Sequence, residues 1–487
     1  MGGEFQLPEP IIQHIQSFLN GKEAARTTLL SSSWRKAWLT RPDIDFSDYD
    51  DTGPFEELAT KTIQRYEKSN LKIQSLRLFI GQSWCYEITL YNELISKALK
   101  LGATHLSLEL GRKFVVPREV FGSENLVGLS VIGCEIDIGS DRKAIRCSRL
   151  ESLCLQSTEI SLDTLSHIIP SCPSIQKLSL SNIVSFEEQG VTNSVGDGLI
   201  NLHCLTCLEL VYVKFDTLFL GDVSSRFPSL KDLTLHMYST SFAGEEEIRI
   251  SSSSLERLNF AQTKCSRRHR FGDAQKRRLR VKFDVPSIRR FTYDGRVIPL
   301  LSFKSTSREW ESRVSIVRYN DLGSLWFRRL SKFLTKLRRS KIHLSLNVSV
   351  WRSFDYEAGE VQGLRRPRVE NLTIDLADLP YLNCYALFDG LFQMCRPKFI
   401  TQYLHHKSRV DGKEKREYFL CKAFLGRGGN ESHFMYYGLE DLEEVNVEIW
   451  DEVVAVWRHV PLEYLLDAST NATTDKRKIR FQLKWRR

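Results

Sequence analysis

The sequence predicts an α/β chain: a small three-helix module at its start, then a solenoid of short parallel strands through most of the rest. Three observations predict it. A pattern of apolar-x-x-apolar-x-apolar recurs along most of the 487 residues. Within each copy the last two apolar residues alternate with polar ones, the period of a strand buried on one face. The first fifty residues instead space their apolar positions three and four apart, which is the helical period. A composition of 42% hydrophobic and 26% charged residues fits a folded globular chain and excludes a wholly disordered one.

The module comes first. Ile11, Ile12, Ile15, Phe18 and Leu19 fall on one face of a helix that Asn20-Gly21 is expected to end. Ala24, Ala25, Thr28 and Leu29 make a second short amphipathic helix. Ser31–Ser33 can cap a third, with Trp34 and Trp38 one turn apart and Pro42 as its stop. Three helices in about forty residues bury little surface, so the module is expected to have a partner over its apolar face.

The repeats follow. Full copies run at Ile73–Leu78, 126–131, 150–155, 175–180, 205–210, 230–235, 255–260, 288–293, 369–374 and 442–447, with weaker copies starting at Ala103, Glu311 and Lys341. Between 126 and 341 the starts are 24, 25, 30, 25, 25, 33, 23 and 30 residues apart, which is leucine-rich-repeat spacing. The turn into the strand recurs as S-C-P-S-I (Ser171–Ile175), F-P-S-L (Phe227–Leu230) and D-V-P-S-I (Asp284–Ile288). Returning segments such as Ser161–Ile169 and Leu322–Leu337 read as helices. One repeat cannot bury its own apolar face, so neighbours stack, with the strands as a parallel sheet on the concave side. Cys395–Thr401 reads as the start of another repeat. Residues 405–433 are poorly patterned, and the segments around 439–450 and 478–485 read as a terminating strand pair.

The residues of the module carry a resemblance. Leu7-Pro8, the Ile/Phe/Leu face of the first helix, K-E-A-A-R-T (Lys22–Thr27), Leu30-Ser31, W-R-x-x-W (Trp34, Arg35, Trp38) and P-x-x-x-F (Pro42, Phe46) resemble an F-box. With the repeat spacing and the C-P-S/F-P-S entries, the chain resembles the plant F-box/leucine-rich-repeat family. That resemblance implies an F-box over 1–48, a leucine-rich-repeat solenoid over 49–404 and a solenoid cap with a strand pair over 405–487. It implies docking on the Skp-family adaptor, and through it on a cullin, of a ubiquitin ligase. By motif position Leu7, Pro8, Ile12, Ile15 and Trp34 would carry that contact; the alternative is that some of the motif residues, especially Phe18 and Trp38, only pack the three helices together. The repeats would bind a protein substrate. Some members also hold an inositol phosphate and a hormone, which is the alternative within the family. A free-standing repeat protein that binds other proteins, or one that binds nucleic acid, is the alternative outside it.

Charge and chemistry add candidates. In the row of strand residues two before the last outward position, Arg257, Arg290 and Arg313 fall on successive repeats, about 4.8 Å apart if stacked in a parallel sheet. Such a ladder would bind an anion, or would be solvated with Asp294 as a partner. The net charge is +9, and Lys264–Lys282 holds nine Lys/Arg against one acid, Asp273. This run reads as a protruding loop: a nuclear localisation signal, an electrostatic partner site or plain solvated surface. With Phe271 as its one aromatic residue, nucleic acid is a weaker reading.

The eleven cysteines show no framework spacing and read as reduced, mostly buried thiols. Cys204-x-x-Cys207 has no second pair, so a repeat segment is expected there rather than zinc. No phosphate-binding loop, nucleophile elbow or zinc-protease motif occurs. The expectation is a non-catalytic adaptor with no cofactor or metal, outside the membrane, in the nucleus, the cytoplasm or both. The opening MGGEFQLPEP reads as neither a secretory signal nor a myristoylation site.

Overall fold

The computed structural model describes residues 7–46, 55–79, 88–139, 145–183, 202–213, 223–238, 247–263, 280–304, 309–319, 323–349, 365–375, 381–403, 439–461 and 478–486, with positions 199, 220, 221, 363, 420 and 424. The chain divides into two compact units, Met1–Leu235 and His236–Arg487.

The first unit opens with α1 (Glu9–Ser17), α2 (Gly21–Arg26), a 3-10 turn at Thr27–Leu29, and α3 (Ser32–Thr40). Asn20 does not end α1; it starts α2. Its Oδ1 accepts from the Glu23 N–H at 2.7 Å, and its own N–H donates back to Glu23 Oε2 at 3.4 Å. This reciprocal box satisfies two of the donors a helix start leaves open. Ser31 caps α3 by accepting from the Trp34 N–H. Ile12, Gln16, Ala24 and Ala37 form the small core.

Strand β1 (Asp43–Phe46) follows the module directly and pairs in parallel with β2 (Ser75–Phe79), which follows α4 (Phe55–Lys68). Then come α5 (Ile88–Lys100), β3 (His105–Glu109), α6 (Arg118–Phe121), β4 (Gly128–Ile132), β5 (Glu135–Ile136), β6 (Ser152–Gln156), β7 (Glu159–Ile160), α7 (Leu162–Ile168), β8 (Lys177–Ser181), β9 (Cys207–Val211), α8 (Val223–Arg226) and β10 (Asp232–Tyr238). The sheet order β1-β2-β3-β4-β6-β8-β9 is parallel throughout. Its register aligns Leu76, Leu106, Leu129, Leu153, Leu178 and Leu208 in one buried row. Leu78, Leu108, Val131, Leu155, Leu180 and Leu210 make the second, and all twelve are at most 2% exposed. Each such side chain contributes about 1.5–3 kcal/mol of burial, so the leucine pattern is what holds the coils together.

The turn out of each strand repeats too. Gly133, Ser157, Asn182 and Tyr212 follow β4, β6, β8 and β9, and all four have φ between +49° and +68°. The N–H groups of Gly133, Ser157 and Asn182 donate to the carbonyls of Gln156, Ser181 and Val211, each at 2.8 Å. One left-handed residue thus turns the chain off the sheet while keeping its hydrogen bond to the next coil. Only Gly133 adopts that backbone without steric cost.

The second unit contains two sheets. The larger takes β12 (Arg257–Thr263), β14 (Arg290–Gly295), β16 (Glu311–Tyr319), β17 (Lys341–Ser349), β18 (Arg368–Asp375) and β19 (Arg396–Tyr403) in parallel order. The smaller is β11 (Glu247–Ser251), β13 (Arg280–Asp284) and β15 (Leu300–Lys304), also parallel. Here a second layer of strands backs the sheet. Its aromatic side chains interlock with those of the larger sheet, with Phe283 5.6 Å and Phe303 5.3 Å from Phe291 between centroids. Further along, α9 (Ser324–Lys336) packs on α10 (Tyr381–Met394).

The end of the chain differs from a repeat. β20 (Leu442–Asp451), which includes the copy read at 442–447, is antiparallel to both of its neighbours, β21 (Val456–Val460) and β22 (Lys478–Trp485). β22 in turn lies antiparallel on β19. The apolar spacing at 442–447 therefore belongs to a terminating antiparallel sheet of three strands, where a pair was expected. Alternation alone does not distinguish the two strand directions.

Candidate functional site

The contact residues expected on the module divide into two groups. Ile12 is 1% exposed and lies inside, so it cannot touch a partner. Pro8 is exposed, Ile15 is exposed, and Leu7 and Trp34 are half-buried. The inward face of α1 is Ile12 and Gln16, and the outward face is Ile11, Ile15 and Phe18. Phe18, for which packing between the helices was the alternative, is 76% exposed. Leu29 and Leu30, in and just after the 3-10 turn, are 88% and 66% exposed. Trp38, by contrast, is half-buried, with the Arg65 guanidinium 5.5 Å from its ring centroid.

The phase of α1 follows from Gln16. Its Nε2 donates to Thr27 Oγ1 at 2.8 Å and to the Trp34 carbonyl at 3.2 Å, joining α1 to the turn and to α3. With these bonds made, an amide shares the inward face with Ile12, and the other apolar residues of the helix turn outward. Glu9 adds a second tie: it accepts from Thr40 Oγ1 at 2.7 Å and pairs with Lys36 at 3.1 Å. The Thr40 hydroxyl and the Lys36 ammonium hold its carboxyl below the usual carboxylate range. The module is thus fixed in shape while five large apolar side chains face water. A single exposed leucine needs no explanation, but five on one forty-residue module do.

The arginine ladder is not formed as expected. Arg257 and Arg290 are register partners, but the next partner of Arg290 is Glu311, and Arg313 stands beside Thr292. Glu311 pairs with Arg290 at 3.8 Å and with Arg313 at 3.5 Å. The copy starting at Glu311 lacks its first apolar residue, so counting from it placed the strand two residues out of register. A shift of two keeps every side chain on its own face, so alternation could not reveal it. Asp294, the expected counter-charge, faces Ser315.

Of the basic run, residues 264–279 lie outside the described residues. Its end is strand and not loop: Val281 and Phe283 are buried in β13, and Lys282 pairs with Glu247 at 2.8 Å. The described cysteines are free thiols, with Cys204 exposed and Cys207 half-buried at the start of β9. Burial pushes the Cys395 thiol up to about 12. Among the described residues no group of three or more His, Cys, Asp or Glu is placed to hold a metal, and no helix is long and apolar enough to cross a membrane.

Comparison with known proteins agrees with the motifs. The chain is 29% identical over 188 residues to an F-box/LRR-repeat protein of Arabidopsis thaliana, covering 36% of each chain. It is 27% identical over 229 residues to another from the same plant, covering 43% of this chain and 68% of the relative. A third, named an F-box protein, is 24% identical over 228 residues, 43% of this chain and 48% of the relative. The chain spans less than half the length of most of these curated relatives. No family model matches it. The matches support the plant F-box/LRR family to which the sequence motifs point.

Proposed function

We propose that the chain is a substrate-recognition adaptor of an SCF-type cullin–RING ubiquitin ligase. The module docks on a Skp-family adaptor, which links it to a cullin, and the repeats hold the target protein. The division into a docking module over 1–48, repeats over 49–404 and a cap over 405–487 belongs to this reading, as does a place in the nucleus, the cytoplasm or both. The observation that carries it is the outward apolar face of an F-box-like module: Ile11, Ile15, Phe18, Leu29 and Leu30, beside Leu7, Pro8 and Trp34.

The role needs no catalytic residue in this chain. An adaptor accelerates transfer by holding substrate beside a charged enzyme, which turns an encounter between separate molecules into a reaction within one assembly. The test is a binding measurement of the full chain against a Skp adaptor, with Leu7→Ala/Pro8→Ala and Phe18→Ser/Leu29→Ser as variants. Binding by the wild type and its loss in both variants is the expected result. A wild type that does not bind overturns the proposal.

A further inference from the structure

The corrected register reveals a different row of cations from the one the sequence suggested. Along the first outward position of the strands in the larger sheet of the second unit, Arg257 partners Arg290, Arg290 partners Glu311, and Glu311 partners Lys341. Arg368 opens the next strand and partners Arg396 on the one after. The six strands therefore open on five cations and one glutamate, and the His343–Asn371 pairing sets Arg368 one residue beyond the level of Lys341. The strands of the first unit open instead on Asp43, Ser75, His105, Gly128, Ser152, Lys177, Cys207 and Asp232, with one lysine and two aspartates. The basic row is therefore a property of these repeats and not of the repeat pattern.

Its far end is the densest part. Arg366 and Arg396 share a single carboxylate, Asp441: Arg366 Nη1 lies 3.4 Å from its Oδ2, and Arg396 Nη2 donates to the same oxygen. Arg366 Nε donates to the Gln393 carbonyl and Arg396 Nη1 to the Arg486 carbonyl, each at 3.2 Å. Arg396 Nε is buried and meets no acceptor among the described residues. Arg368, directly opposite Arg396, and Lys341 form no ion pair among the described residues. Other nearby carboxylates are engaged: Glu370 by Lys398 at 2.7 Å, Glu311 by Arg290 and Arg313, and Glu443 and Glu444 by Lys484. Like charges directly opposite on paired strands are unfavourable, so Arg368 beside Arg396 is a cost that an anion would relieve.

We propose that these strand-opening cations, centred on Lys341, Arg368 and the Arg366/Arg396 pair, seat an acidic segment of the protein that the repeats recruit. The segment carries two or more negative charges, as glutamate or phosphoserine, and lies across the strands. Guanidinium groups bind carboxylate and phosphate alike through paired N–H donors, so both chemistries fit. Nucleic acid fits less well, because the row and its neighbour lack a run of aromatic faces for bases to stack on. The neighbouring row holds Asn259, Thr292, Arg313, His343, Asn371 and Phe399, and the Phe399 ring already faces Lys398 and Arg480. The proposal rests on the reading of the repeats as a substrate platform.

The test uses the full chain and three fluorescein-labelled glycine/serine peptides of equal length: one with two phosphoserines, one with glutamates at those positions, and one uncharged. Oligouridine of similar length is the competitor. Wild type binds one or both acidic peptides and not the uncharged one, and the acidic peptide that binds tells phosphate from carboxylate. Lys341→Glu/Arg368→Glu and the milder Lys341→Gln/Arg368→Gln weaken that binding tenfold or more with unchanged thermal unfolding. Lys177→Glu, in the corresponding row of the first unit, leaves it unchanged. Three results would each overturn the proposal: no binding of either acidic peptide, unchanged affinity in both double variants, or tighter binding of oligouridine than of the peptides. Skp-adaptor binding of the same preparations is measured in parallel. Its failure would count against the ligase reading alone, because the peptide titration does not pass through the module.

Discussion

Exchanging the outward apolar residues of the module for serine separates a docking face from a packing face. Phe18 and Leu29 are 76% and 88% exposed, so Phe18→Ser/Leu29→Ser removes almost nothing from the folded core. Its effect on unfolding is expected to stay within about 0.5 kcal/mol per site, as for surface changes in general. Full burial of such a side chain is worth about 1.5–3 kcal/mol, and most of each surface is still available for a partner to cover. On the proposed docking role the two together would contribute about 2–5 kcal/mol to an adaptor complex, so that the variant would lose about thirtyfold or more in affinity. Ile12 works in the opposite sense. At 1% exposure it has no surface left to offer, so Ile12→Val costs about 0.5–1.5 kcal/mol of stability and leaves affinity within about twofold. The assay is a titration of purified full-length protein against a Skp adaptor, beside thermal unfolding of each variant. A Phe18→Ser/Leu29→Ser protein that binds like wild type would refute the reasoning. So would an Ile12→Val protein that melts like wild type but loses binding.

Four further outcomes are expected. Gly390→Ala would bring a Cβ to 2.5–2.8 Å from three ring atoms of Phe327, which is fully buried, so the strain of about 1–3 kcal/mol outweighs the gain of about 1 kcal/mol in helix propensity; thermal unfolding would fall, and Phe327→Leu in the same chain would recover part of the loss. Gly133→Ala meets no atom within 4 Å and therefore isolates the left-handed backbone term, about 1 kcal/mol of lost stability, whereas Ser157→Gly at the equivalent turn gains about 0.5–1 kcal/mol in denaturant titrations. Burial raises Tyr66, Tyr293 and Cys395 above their ordinary values of 10.0, 10.0 and 9.0. The unfolded chain then releases these protons first, so their contribution is whole below pH 9 and is lost as pH climbs past 9 and then 10; Cys395→Ala should remove this thiol's share of the part that begins at pH 9. Tyr66→Phe removes the hydroxyl that donates to the Arg41 carbonyl at 2.6 Å, a lost buried hydrogen bond expected to cost about 0.5–1.5 kcal/mol in thermal or denaturant unfolding.

The sequence made the repeats legible because two aligned apolar rows are what a parallel coil must bury, and each copy carries both. It was less informative wherever a polar group fills a core place. At α1 the buried Gln16 turned Ile12 inward, away from the contact expected of it, since its hydrogen bonds to Thr27 and Trp34 come from residues distant in the chain. At β16 the buried Ser312 stands where other copies have an apolar residue, and its hydroxyl is paired with that of Ser340. That substitution concealed a register shift of two, and with it the row that joins Arg290 to Lys341 through Glu311. The small second sheet was hidden for another reason. Its strands alternate Ile248, Ile250, Val281 and Phe283 with Arg249, Arg280 and Lys282, and the charges made part of it resemble a loop.

The most consequential feature that no motif announced is how the module joins the repeats. The Pro42 carbonyl accepts from both Gln74 and Ser75, at 2.7 and 3.3 Å. The carbonyls of Gln74, Thr104, Val127, Glu151 and Gln176 each accept in the same way from two consecutive N–H groups of the coil that follows. The residue after α3 therefore occupies the place a preceding repeat would have, and β1 completes it by pairing with β2. A proline suits that place, because it is used only as an acceptor and its missing N–H is not needed. Tyr66 reaches Arg41 and Arg65 covers Trp38, so α4 fastens the same junction from the other side. A flexible tether would let a docked target sample many orientations, and proximity would then contribute little. With a shared backbone ladder, the orientation of the first repeats is set by the module itself, and a partner bound to α1 holds those coils in one place. Proximity accelerates a transfer only to the extent that such freedom has already been removed.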